Sequence, residues 1–407
     1  MNSTPVVTLL CGMAVVAVSS AQAPRFDDVV RNLRNPDPKV RQSAVRLLRE
    51  ANYPEAIVPM APLVNDPVDA VQLEAIAAEL SFFLVEDIPE RRRVGLVVEV
   101  RNRGAAMTAF ERGRLAVWPR PAPPELVSEL LRAVDDDHPR VRLEAIYAVG
   151  TIAAPPLGSD AEAQLLTTLD HYDPAIRAGA ARVAGRLGVR AASDALITGI
   201  NDSSAAVRYA AMRALGDLRE ERAVVALAEQ LTFYERGEGA WTALDGLARI
   251  AHGSSIPLFA ARVSDRDPQM RRAAAEGLGR TGAAETRSTL ETGATSDQSP
   301  IVRAAMTFAL QKLGGHYVPR LVEFLADSRT APQVQDYLLE LGPGIEGALL
   351  PSLQEPDGAI RAAVADVLGA IGGTASLTAL DAMTDRDRGA VEAARRAAER
   401  IRMRQAR

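Results

Sequence analysis

The 407-residue chain has a single cysteine, Cys11, and only four histidines. One thiol permits no intrachain disulfide and no thiolate cage for zinc. Aromatic residues are also scarce, 4% against 47% hydrophobic overall, so the core must be built from Ala, Leu, Val and Ile on closely packed helices. A basic excess is missing as well. The 47 Lys and Arg face 52 Asp and Glu, and a net charge of −5 gives no general footprint for displacing counterions from phosphate, so nucleic acid is not an expected partner. There is no Gly-x-Ser-x-Gly elbow, and none of His138, His171, His252 and His316 stands where a motif would make it a base. No catalytic residue, metal ligand or cofactor is assigned.

Charge is absent altogether from residues 1–23. Within them Val6 to Val18 is almost wholly apolar, and Ala21-Gln22-Ala23 has the small-x-small form of a signal-peptidase site. This stretch is expected to be a secretory signal, making the protein exported, periplasmic or secreted, and removing Cys11 from the mature chain. The apolar run falls short of the roughly 20 residues that span a bilayer. Membrane contact is expected only if the segment stays in place as an anchor.

What is present, many times over, is one pattern. Residues 173–188 read Asp-Pro-Ala-Ile-Arg-Ala-Gly-Ala-Ala-Arg-Val-Ala-Gly-Arg-Leu-Gly. Asp173 is a helix N-cap, Pro174 suits the first helical position, and Gly188 supplies the stop. Ile176, Ala180, Val183, Ala184 and Leu187 form one apolar stripe at helical period, with Arg177, Arg182 and Arg186 off it. The small Ala180 and Ala184 let a neighbouring helix approach closely. Anchors equivalent to Ile176 occur at Val40, Val71, Val141, Val207, Met270, Val302, Val334, Ile360 and Val391. Most neighbouring anchors are 31 to 35 residues apart, while 141−71 = 70 and 270−207 = 63 are double steps, each expected to hide a degenerate copy. Such a period marks units that bury their apolar faces only by stacking, so residues 24–407 are expected to be one solenoid.

Two stretches break the pattern, about 79–125 and 231–250. The first includes Arg91-Arg92-Arg93, the apolar run Val94 to Val98 and the proline-rich segment from Trp118 to Pro124; a degenerate helix over 105–117 is expected to keep the count of units. The second brings Phe233, Tyr234 and Trp241 together where the Asp-Pro start is missing. Broken local rules and large aromatics both point to binding, so Phe233, Tyr234, Trp241 and Trp118 are the candidate partner contacts. Arg41, Arg142, Arg177, Arg208, Arg271, Arg303 and Arg361 recur at one repeat position and are expected to form a structural ladder, pairing with cap Asp or carbonyl groups of adjacent units. The arginines from Arg395 to Arg407 are expected to sit on a solvated capping helix.

The unit Asp-Pro-x-Val-Arg-x-x-Ala-x-x-x-Leu-Gly resembles the HEAT repeat, in the shorter form named after phycobilisome (PBS) lyases. That resemblance implies an all-α α-solenoid, a right-handed superhelix of about twelve stacked helix pairs whose second helices line a concave binding surface. Relatives similar to deoxyhypusine hydroxylase hold two irons with His-Glu pairs, but here each histidine is followed by Pro139, Tyr172, Gly253 or Tyr317. The expected function is a non-enzymatic scaffold or adaptor for protein partners, acting outside the cytoplasm as a curved rod on the order of 100 Å long, with helix pairs about 8–10 Å apart. The alternative is a small-ligand binder or a PBS-lyase-like enzyme using the 79–125 or 233–241 stretch.

Overall fold

A computed structural model describes residues 25–86, 93–94, 97–98, 104–384 and 387–406. The expected signal at 1–23 and half of the 91–98 run lie outside these residues.

Helix starts led by Asp behave as their chemistry dictates. The carboxylates of Asp37, Asp173, Asp267 and Asp357 each accept from the backbone N–H two residues on, at 2.8–2.9 Å, and Gly188 and Gly282 end their helices with φ of +67° and +71°. Among the described residues, eleven helix pairs follow one another. They are α1 (Phe26–Asn32) with α2 (Pro38–Glu50), and α3 (Ile57–Met60) with α4 (Asp69–Ser81). After α5 (Ala105–Arg112) come α6 (Pro124–Arg132) with α7 (Pro139–Ile152), α8 (Ser159–Thr168) with α9 (Pro174–Arg186), and α10 (Ser193–Gly199) with α11 (Ala205–Leu218). Then follow α12 (Val224–Tyr234) with α13 (Glu238–Ile250), α14 (Ile256–Arg262) with α15 (Pro268–Thr281), and α16 (Arg287–Ser296) with α17 (Pro300–Lys312). The stack ends with α18 (Val318–Glu323) and α19 (Ala331–Leu341), α20 (Glu346–Leu349) and α21 (Gly358–Ile371), and α22 (Thr374–Asp381) and α23 (Arg388–Gln405).

The second helices of successive pairs touch in an unbroken row, and glycine sets how closely. A Cβ added to Gly185 would lie 2.7 Å from the Ala214 Cα, one on Gly279 2.5 Å from the Ala309 Cα, and one on Gly369 2.8 Å from the Ala397 Cα. Drawing this row together bends the stack toward it, so the second helices form the inner wall.

Of the two expected degenerate units, the later one is present as α12 and α13. The earlier one is not a stacked unit. Asn65 on the second pair donates to the carboxylate of Glu129 on the next stacked pair at 2.7 Å, and Gln72 donates to Asp136 at 2.7 Å; both steps span 64 residues, so the chain skips one period without leaving a gap. The intervening segment leaves and rejoins the stack at a single root, where Val85 N–H donates to Ala116 O, Trp118 N–H donates to Phe83 O, and Leu84 bridges Val117. It carries a short antiparallel pairing of 93–94 with 97–98, and α5. That helix lies against the inner side of α7, where Gly150 makes room for Phe110: a Cβ there would come within 2.6 Å of the ring. The 3-10 turn Gly113–Ala116 follows.

The C-terminal helix also departs from expectation, because it is not a freely solvated cap. Arg400, 8% exposed, donates to Arg114 O at 3.0 Å and Leu115 O at 2.9 Å, with its guanidinium 6.0 Å over the Trp118 ring. Arg396 pairs with Glu86 at 3.3 Å and Asp366 at 3.7 Å. The curvature of the expected rod is therefore strong enough that its last pair clasps the insertion and closes the turn.

On α9 the stripe is as expected, with Ala180 and Ala184 fully buried, but Arg182 has partners. It lies 5.0 Å over Phe110 and 5.3 Å over Tyr147, donates to the Tyr147 hydroxyl at 3.2 Å, and sits 3.7 Å from Glu111. We expect Ala180→Leu to cost about 1–3 kcal/mol by overpacking and Arg182→Ala about 1 kcal/mol through its lost ring contacts. Urea midpoints that leave Ala180→Leu no less stable than Arg182→Ala would refute this assignment of the buried face.

Candidate functional site

Each ladder arginine reaches back to its own loop. Arg177 donates to His171 O at 2.8 Å and Tyr172 O at 3.2 Å, then forward through two bonds of 3.0 Å to Asp202 in the next unit. Arg41 and Arg271 do the same with Asp66 and Asp297, and Arg142 reaches Asp173. Arg303 and Arg361 bond the carbonyls of their own loops. These arginines hold the Asp173 and Asp202 carboxyls below the usual carboxylate range. In the degenerate unit the forward partner is an aromatic: Arg208 donates to the Tyr234 hydroxyl at 2.7 Å. Tyr234 can occupy that place because Gly239 has no Cβ; one would lie 2.4 Å from the ring.

Phe233 stands edge-on to Tyr234 and is 75% exposed, so a partner can reach it. Trp241 is half-buried against the core, and Trp118 is half-buried at the root of the insertion, beneath Arg400. The structure does not bring Trp118 together with the other three.

It does bring together a set that the repeat pattern alone did not single out. A cleft of about 840 Å³ opens on the inner wall between α9, α11, α13 and α15 on one side and α19 on the other, with Gly113 and Arg114 of the insertion at its edge. One wall is a chain of ion pairs. Arg249 contacts Asp217 at 2.7 Å and Asp245 at 3.4 Å; Arg272 contacts Asp245 at 3.1 Å and Glu276 at 2.6 Å; Arg280 contacts Glu276 at 3.0 Å and Glu340 at 2.8 Å. Tyr337, stacked 4.2 Å from Phe308, donates its hydroxyl to Glu276. Burial opposes ionisation of Glu276, but Arg272 and Arg280 outweigh it and hold the carboxyl below its ordinary range. Burial, then Glu276, push the Tyr337 hydroxyl well up. Asp217 and Asp336 are raised, chiefly by the protein around them. Arg186 lies 3.6 Å over the Phe110 ring, and burial together with neighbouring Arg182 lowers it to about 10. Among the described residues no group of His, Cys, Asp and Glu has the arrangement of a metal site, and no helix is long and apolar enough to cross a membrane.

The HEAT-repeat family model matches residues 162–233 and 235–311, which span α8 to α17 and most of this wall. Residues 162–311 carry HEAT repeats. Solved structures similar to it include an engineered protein at 16% identity, covering 93% of this chain and 98% of that one with a TM-score of 0.39. Another is the complex of CpcE and CpcF of phycocyanin lyase from Nostoc sp. PCC7120, at 20% identity, covering 59% and 94% with a TM-score of 0.40. Kap121p is a third, at 13% identity, covering 92% and 45% with a TM-score of 0.37. No curated protein matches the sequence.

With the HEAT register in hand, the missed signal becomes visible. Counting from the helix cap, 186−173, 217−204, 280−267 and 312−299 all equal 13, so Arg186, Asp217, Arg280 and Lys312 share one repeat position in the last inner turn. A charge recurring there, beside the close-approach glycines, is the mark of the cleft.

One carboxyl of the stack sits apart. Glu79 on α4 is 1% exposed, neither oxygen has a hydrogen-bond partner among the described residues, and burial raises its pKa well above the ordinary value. A raised carboxyl adds no penalty below the unfolded value near 4.5 and costs stability as pH climbs from there toward the folded value. Glu79→Gln is therefore expected to show a stability advantage that widens between pH 5 and pH 8. Equal urea midpoints for the two proteins across that range would contradict it.

Proposed function

We propose that this protein is a non-enzymatic scaffold that binds protein partners along the inner wall, with the cleft between α9, α11, α13, α15 and α19 as its working surface. The observation carrying this reading is the linked set of ion pairs from Asp217 to Glu340, which pins long side chains in place before any partner arrives. A pre-ordered wall lowers the conformational cost of association. Phe233, on the loop edge and open to solvent, is a second contact in this reading.

A photo-crosslinking residue placed at Gln269 or Gln333, both in the cleft, is expected to capture protein in the native cells. The same residue at exposed Val225 on α12 is the control. Equal capture from both surfaces would sink the scaffold reading. One observation favours the alternative of a small-ligand binder or enzyme: the irregular stretch lines the cleft at Gly113 and Arg114, and the volume of about 840 Å³ falls in the range of small-ligand pockets. A small molecule co-purifying in place of a protein would support it.

Action outside the cytoplasm is part of the proposal and rests on residues 1–23 alone. Fractionation with N-terminal sequencing tests it: the expected product begins at Pro24 outside the cytoplasm, and a cytoplasmic chain retaining Met1 refutes it.

A further inference from the structure

The whole chain is acidic, with a net charge of −5, yet seven arginines line the cleft against four carboxylates. Arg249, Arg272 and Arg280 are consumed by the ion pairs of the wall, and Arg329 pairs with Asp327 at 2.7 Å. Arg114, Arg186 and Arg219 remain. All three keep solvent-accessible surface, Arg186 within the walls of the cleft, and among the described residues none makes a hydrogen bond or ion pair through its guanidinium. Arg186 is the most constrained of them. Its flat face is spent on Phe110, with Arg182 over the same ring, so the N–H edge of the guanidinium is what remains to receive a ligand. Two like charges over one ring, without a shared carboxylate bridging them, are relieved when an anion arrives. Asp217 and Asp336 also face Arg186 and temper its charge, but neither comes within ion-pair distance of it.

The arrangement of the three distinguishes among anions. Arg186 closes α9, Arg219 follows the end of α11 in a left-handed conformation at φ +52°, and Arg114 belongs to the insertion at the rim. Adjacent packed helices lie about 8–10 Å apart, so Arg186 and Arg219 stem from successive points along the groove, with Arg114 on a separate element at its rim. A single compact phosphate suits convergence. A chain bearing carboxylates at intervals suits the spread: in a polyproline II segment every third residue returns to the same face after about 9 Å.

Resting on the scaffold reading above, we propose that the cleft recognises an extended acidic segment of the partner protein, its carboxylates accepting from Arg186, Arg219 and Arg114. The recognition is electrostatic and weakens as salt is added.

The test uses the full chain and two fluorescein-labelled peptides, four repeats of Glu-Pro-Pro and the same length of Gln-Pro-Pro, read by anisotropy. The Glu peptide is expected to bind at least tenfold tighter than the Gln peptide. Arg186→Gln/Arg219→Gln should lose at least tenfold in affinity, Arg114→Gln alone should lose part of it, and Arg190→Gln, exposed and away from the cleft, should lose nothing. Equal binding of both peptides overturns the proposal, as does Glu-peptide binding that survives the double substitution and Arg114→Gln. Tripolyphosphate that binds and displaces nothing acidic, while the Glu peptide fails, also overturns it by showing a compact-anion site. A partner crosslinked from Gln269 and Gln333 but indifferent to the three arginines would leave the scaffold reading standing and remove this one.

Discussion

Glu276→Leu should lower the stability of the fold by about 3–5 kcal/mol, the cost of removing one member of a buried ionic set and leaving the others unpaired. Glu276 is 3% exposed and is the hub of the wall: Arg272 at 2.6 Å, Arg280 at 3.0 Å and the Tyr337 hydroxyl all converge on it. The side chains of Arg272 and Arg280 are only 17% and 9% exposed, so water cannot replace the lost carboxylate. Urea unfolding at pH 7 should show a lower midpoint with an unchanged slope. Substituting Arg272 and Arg280 by Met in the same chain should recover much of the loss, since an apolar replacement of the whole set removes the stranded charges. A single substitution that leaves the midpoint in place would mean that the three groups do not depend on one another.

Gly279→Val is the second large expected effect, about 3 kcal/mol, at the upper end for overpacking. Its first added atom would lie 2.5 Å from the Ala309 Cα and 2.8 Å from the Ala309 Cβ, so α17 must move as a backbone and cannot yield by turning a side chain. The comparison that isolates this cause is Gly347→Ala. Gly347 is exposed on α20 with open space around it, and there the substitution should stabilise by about 0.4–1 kcal/mol by restricting the unfolded chain. Similar melting temperatures for the two variants would show that the inner helices are not held at glycine-limited distance.

The stack was legible because its determinants are local. Asp173, Pro174 and Gly188 state where one helix starts and stops, and Ile176 with Ala180 and Ala184 states which face is buried, all within sixteen residues. The insertion was not legible for the opposite reason. Nothing in residues 79–125 says that Phe83 and Trp118 will pair backbones, or that Asn65 will find Glu129 across 64 residues; those are consequences of where the rest of the stack places them. Repeat counting alone turned a skipped period into a weak copy. The same limit applied to Arg400, whose position on an arginine-rich last helix is that of a solvated cap until the curl brings Arg114 and Leu115 against it. At the cleft, Arg186 and Arg182 lie off the apolar stripe, and the residue they stack on, Phe110, belongs to a helix that repeat counting places within the row instead of on its inner side.

An open repeat array unzips from its ends, because a terminal unit is held by one neighbour only. Here the last unit has a second neighbour: Arg400 ties α23 to carbonyls 285 and 286 residues earlier in the chain, while Gly369 and Ala397 hold it to α21. For that unit to fray it must break both attachments, so its amides should exchange with solvent at rates closer to those of α15 than of α1. The bond that slows its loss also delays its arrival, because a contact across so much chain can form only after the intervening units have folded and set their curvature.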